Sequence, residues 1–108
     1  MQPQSRFDRF LAAIIGEDVS LPVPQSDTEF FLAVIAGADY PLPVPQSRET
    51  LYLAAILGQD VQLPVPQSRE DLFLAVIAGA DCPLPAPQSR AEMYLAKWAE
   101  QKKKRSGV

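Results

Sequence analysis

The 108-residue chain has no histidine and only one cysteine, Cys82. Without histidine there is no imidazole base, no Ser-His-Asp or Cys-His nucleophile and no His-ligated metal. A single thiol closes no intramolecular disulfide and builds no zinc cluster, and Cys82 has no partner base that would make it a nucleophile. Long hydrophobic runs are missing too. The apolar stretches, such as Phe31-Leu32-Ala33-Val34-Ile35-Ala36, fall far short of the ~20 residues that cross a bilayer. The opening Met1-Gln2-Pro3-Gln4-Ser5 has neither the basic stretch nor the apolar core of a signal peptide. No enzyme activity, catalytic residue, cofactor or metal site is expected, and no membrane partner. The chain is nevertheless 47% hydrophobic and 21% charged, a composition that folds.

Proline is the residue in excess, with eleven copies, and its spacing organises the chain. Pro3, Pro24, Pro45, Pro66 and Pro87 each open a Pro-Gln-Ser tripeptide, 21 residues apart every time. Aligned on that proline, the unit reads P-Q-S-R-x-[DE]-x-[FY]-L-A-x-I-x-G-x-D-x-x-L-P-x. Such a period implies a repeat architecture. Residues 1–96 are read as the repeat domain, with units starting at 3, 24, 45, 66 and 87. Residues 97–108 are read as the end of a terminal helix and a basic tail. A second rhythm overlies the first: Phe31–Asp39 and Phe73–Asp81 are identical, whereas Leu11–Val19 resembles Leu53–Val61. Duplication of a 42-residue pair accounts for this, as would successive helices in different surroundings.

Within a unit the punctuation is local. Ser5, Ser26, Ser47, Ser68 and Ser89 stand as helix N-caps, each hydroxyl accepting from an orphan backbone N–H. Asp8, Glu29, Asp71 and Glu92 follow three places later, approximating a capping box and suiting the positive end of the helix dipole; unit 3 has Thr50 there and Glu49 one place earlier. Gly16, Gly37, Gly58 and Gly79 are expected as helix C-caps, where a left-handed residue ends the helix. The links, such as Asp60–Pro66, cannot continue a helix, because Pro64 and Pro66 hold Leu63 and Val65 extended. Leu21, Leu42, Leu63 and Leu84 are expected to pack back on the helices. Prolines at every second position lack the P-x-x-P spacing that proline-groove domains read.

The predicted helices, about ten residues or ~15 Å long, are too short to be stable alone. Six successive apolar residues also leave no polar stripe. Such helices must be surrounded, by neighbouring units and, on this reading, by neighbouring chains. Leu11, Ile14, Leu32, Ile35, Leu53, Ile56, Leu74, Ile77, Leu95 and Trp98 are the expected oligomer core. Trp98, standing where earlier units have Ile, reads as a larger plug closing the end of that core.

Charge is uneven: residues 1–96 carry a net −7 and the last twelve a net +4. The basic end is read as the solvated end of a helix rather than a nucleic-acid site, since an acidic body repels phosphate. Asp18, Asp39, Asp60 and Asp81 recur after the glycines, and Arg6, Arg48, Arg69 and Arg90 after the serines. A regular array keeps such carboxylates from converging on a metal, so turn caps or Asp–Arg pairs between units or chains are expected.

The motif Leu-Pro-x-Pro-x-Ser-Arg-x-[DE]-x-[FY]-Leu resembles repeats in structural proteins of Firmicutes phages and prophages, the head-fibre family of phi29-like phages in particular. The resemblance spans Pro3 to about Ala96 and implies a homotrimer whose fibre supercoils from helix–turn–helix units. That family works by shape, so no functional residue carries over. No separate capsid-binding base accompanies the repeats in this sequence. The expectation is therefore an all-α protein of 21-residue repeats, each a short capped helix plus a Pro-rich extended link, forming a supercoiled, homotrimeric array. It would be a fibre or spacer segment in a virion or in the cytoplasm of a bacterial host, with itself and other virion or surface proteins as partners. The alternative is a bacterial α-solenoid-like module that binds proteins or peptides.

Overall fold

Five serines start five helices. The computed structural model describes residues 5–106, with side chains described from 5 to 102. Its helices are α1 (Arg6–Ile14), α2 (Asp27–Ile35), α3 (Arg48–Ile56), α4 (Arg69–Ile77) and α5 (Arg90–Ser106). All five predicted N-caps are formed: each serine Oγ accepts from the backbone N–H three residues on, at 3.1–3.3 Å. Among the described residues the full capping box occurs only at α3, where Thr50 Oγ1 accepts from Ser47 N–H at 2.9 Å. The carboxylates expected in that role reach one residue further back. Glu29, Asp71 and Glu92 accept from the N–H of Gln25, Gln67 and Gln88 at 2.8, 3.1 and 2.9 Å.

The first four helices end alike. Gly16 N–H donates to Ala13 C=O and Glu17 N–H to Ala12 C=O, the paired bonds of a Schellman motif, and units 2 to 4 repeat them. The glycines stand one place beyond the cap residues Ile15, Ala36, Leu57 and Ala78, at φ of +98° to +110°. A Cβ on any of them would meet nothing within 4 Å, so glycine is required by backbone conformation rather than by space. No β-strand occurs among the described residues. The links run as irregular extended chain, and their leucines, Leu21, Leu42, Leu63 and Leu84, lie half-buried against the core as expected.

Each helix contributes an aromatic–leucine pair, followed by alanine, to one shared core. Phe10, Phe31, Tyr52, Phe73 and Tyr94 are fully buried, and so in effect are Leu11, Leu32, Leu53, Leu74 and Leu95. The alanines that follow in α1 to α4 are buried as well, and their small side chains let helices approach closely. In sequence order each helix packs on the next, and α5 packs on α1; among the described residues non-neighbouring helices make no close backbone approach and meet only through the shared core. Five helices thus close into a ring. Gln101 Nε2 also donates to Ile15 C=O at 3.1 Å, tying the far end of α5 to the end of α1. The result measures 32 × 32 × 29 Å with a radius of gyration of 13.0 Å, the value of a compact domain of this length.

Closure changes how the expected oligomer core is read. Leu11, Leu32, Leu53, Leu74, Leu95, Ile77 and Trp98 are buried inside one chain, and Ile14, Ile35 and Ile56 are half-buried at one end of the ring. Neighbouring units supply the burial expected from neighbouring chains. The aromatic–leucine positions are equally buried in odd and even units, so the helices do not segregate into pairs with different surroundings. The odd–even difference is an exchange of bulk at half-buried positions: Ala13 with Ile15 and Ala55 with Leu57, against Val34 with Ala36 and Val76 with Ala78.

Candidate functional site

Three features mark the places where units meet, two at one end of the ring and one at the other. The first is a clamp on the N-terminal side of the ring. Arg6 binds the Glu29 carboxylate with two nitrogens, at 2.6 and 3.1 Å, and also donates to the Val23 carbonyl. Arg69 does the same with Glu92, at 2.9–3.3 Å, and with the Ala86 carbonyl. Arg48 pairs with Asp71 at 2.8 Å. Hydrogen bonding to these arginines holds the Glu29 and Glu92 carboxyls below the usual carboxylate range. The expected Arg–carboxylate pairing between units therefore exists, but its acids are the N-terminal ones. Asp18, Asp39, Asp60 and Asp81 stay exposed. The signal that could have found it is a joint exception: Asp27 replaces Arg in unit 2 and Thr50 replaces the acid in unit 3, at the two positions that would have paired.

The second feature is one residue per unit, in the first turn, at the same end of the ring: Phe7, Thr28, Glu49, Glu70 and Ala91. Thr28 Oγ1 donates to Glu49 Oε1 at 2.9 Å, which ties α2 to α3 where the clamp is missing. Glu70 lies against Glu49. Burial first, and then the charge of Glu49, pushes the Glu70 carboxyl above its ordinary value; Asp71 and Glu92 act in the same direction.

The third is a cavity of about 280 Å³ at the opposite end. It is lined by Ile14, Ile35, Ile56, Leu57, Trp98, Gln101 and Lys102. Trp98 occupies the register of these isoleucines and is almost wholly buried, so the residue read as a plug does sit at the end of the core.

Val23, Val44 and Val65 are 71%, 73% and 75% exposed at the same place in three successive links. Cys82 is half-buried. Among the described residues no three or more carboxylate or thiol side chains are grouped to hold a metal, and no helix is long and apolar enough to cross a membrane. Lys103, Lys104 and Arg105 of the basic tail lie outside the described side chains. No family model, curated protein or solved structure matches the chain.

Proposed function

We propose that the protein is a non-enzymatic structural module, a rigid ring of helical repeats that serves as a spacer or docking unit for other proteins. The observation that carries this reading is closure: one chain buries the aromatic–leucine centre of every helix, so the unit stands on its own. The polar groups brought together, arginine with carboxylate and threonine with glutamate, tie unit to unit. Sedimentation equilibrium with circular dichroism at micromolar concentration tests this reading. A folded monomer or a stable oligomer of folded rings supports it, and a chain that unfolds on dilution refutes it.

A second reading, a trimeric supercoiled fibre segment of phage type, is favoured by the row of exposed valines. Copies would then meet through Val23, Val44 and Val65 rather than through the helix centres, and the array would be built from rings. Trimers that dissociate when the three valines are changed to Ser would support it. A monomer at all concentrations would refute it.

A further inference from the structure

The isoleucine register is covered unevenly around the ring. Ile77 is 2% exposed and Trp98, in the same register, 5% exposed, whereas Ile14, Ile35 and Ile56 stay half-buried. Those three stand on α1, α2 and α3, which follow one another in the ring, and together they line the cavity of about 280 Å³ at this end. Leu57 extends the apolar wall, where α2 has the smaller Ala36 in the same register.

The opposite side of the cavity comes from the helix that runs on. Helices α1 to α4 end at their glycine turns, but α5 continues from Trp98 to Ser106. Its added turn brings Gln101 and Lys102 to the cavity, and the bond from Gln101 Nε2 to Ile15 C=O holds that turn against the end of α1. A primary amide carries two N–H groups and an ammonium three, so this side presents donors. Lys102 is the one charged side chain among the described residues that line the cavity. Apolar walls with a few convergent polar groups are the usual make-up of a small-molecule site.

We propose that this cavity binds a medium-chain carboxylate, with the apolar tail along the isoleucines and the head at Lys102. An apolar cavity of about 150 Å³ takes one benzene ring, so the larger space here takes a tail of about eight to ten carbons. The tail would lie across Ile14, Ile35 and Ile56 towards Trp98, completing the burial that Ile77 already has. The carboxylate would accept from Lys102 Nζ and from the Gln101 amide. Removal of apolar surface from water supplies the attraction, and the charge-assisted hydrogen bonds fix the orientation.

The test is titration of the full chain with decanoate, below the concentration at which it forms micelles. Trp98 is the only tryptophan, so its emission reads the cavity directly. Saturable changes in that emission and in the Ile35 and Ile56 methyl signals are expected. Shortening the ligand to octanoate and hexanoate should weaken binding about fourfold per methylene. Lys102→Gln should weaken decanoate about tenfold, the worth of one charge-assisted hydrogen bond, and leave decanol unchanged. Ile35→Trp, which fills the cavity, should abolish binding; if that variant fails to fold, the Lys102→Gln comparison decides. No saturable change at millimolar decanoate overturns the proposal. So do equal binding of decyltrimethylammonium and an effect that Lys102→Gln leaves unchanged. Contacts from residues 103–108 to the Ile35 and Ile56 methyls in the free chain overturn it too, since the chain would then be its own occupant. A folded ring that ignores decanoate removes this site and leaves the structural module standing.

Discussion

Changing Asp27 to Arg together with Thr50 to Asp should build, at the α2–α3 junction, the clamp that Arg6, Arg48 and Arg69 make elsewhere. The three existing pairs have arginine side chains 40% exposed against carboxylates 12–18% exposed. At ~4 Å and an effective dielectric near 20, the gross attraction is about 4 kcal/mol. Desolvation and side-chain ordering reduce exposed pairs to about 0.2–1 kcal/mol. With one partner mostly buried and an added carbonyl contact, a coupling of about 1 kcal/mol is expected. Asp27→Arg alone should cost about 0.3–1 kcal/mol, because an acid leaves the first turn. Thr50→Asp alone gives up the bond from Ser47 N–H while keeping the one from Gln46 N–H, as Asp71 does with Gln67. Urea unfolding of the wild type, both single variants and the double variant closes the cycle. The coupling should shrink in 1 M salt, where the screening length is about 3 Å, and Lys at position 27 should recover less than Arg because it lacks the fork. Additivity within about 0.3 kcal/mol would refute the clamp as the tie between units.

Gly37→Ala should lower stability by about 1–2 kcal/mol through its positive φ alone, read as a drop in urea midpoint at unchanged slope; a neutral result would mean that the turn relaxes. Leu32→Ala should cost about 2–5 kcal/mol with an unfolding midpoint independent of protein concentration, because its burial lies within one chain; a concentration-dependent midpoint would return the helix centres to an interchain core. Glu70→Gln should raise the melting temperature at pH 7, with the gain fading as pH falls. Its raised pKa means that the folded state disfavours the charged carboxyl, a penalty present above the folded pKa and relieved below it. Glu92→Gln should do the opposite. Its depressed pKa gives stability that is full above the ordinary carboxylate range and lost as pH falls through the folded value, so the variant should be less stable at pH 7 and converge with wild type in acid. Melting curves from pH 3 to 8 check both signs.

The parts of this fold legible in the sequence are those decided within a few residues. Ser68 accepts from the N–H of Asp71 wherever unit 4 sits in space, and Gly79 ends α4 because no other residue adopts its φ cheaply. The partners of Arg6 and Arg69 were not legible, because the pairing spans 23 residues and depends on the angle between successive helices. Asp18 is nearer to Arg6 in sequence, yet it follows the glycine at the opposite end of the helix. The repeats read as a supercoiled array, and closure into a ring was not legible for the same reason. Caps and prolines specify the unit, but the rotation from one unit to the next is set by side-chain packing at the junction. Tyr52 and Tyr94 share one register of the repeat, and only the path of the chain shows that the Tyr52 hydroxyl donates to Pro64 C=O while that of Tyr94 has no partner among the described residues.

Closure at five also bears on the alternation of units. A two-unit rhythm can run on through an open array, but around a ring with an odd number of members it must fail once. It fails between α5 and α1, where two odd-numbered units adjoin. At that junction unit 5 drops the pattern: Lys97 and Ala99 stand where the odd units have alanine and a large aliphatic residue, and Trp98 replaces the isoleucine. Ala99 is buried there, where Ile15 and Leu57 are only half-buried, and Trp98 fills the end of the core. The break in rhythm and the large plug therefore belong to one junction. The change of pattern in the fifth unit gives that junction a chemistry distinct from the rest of the wall.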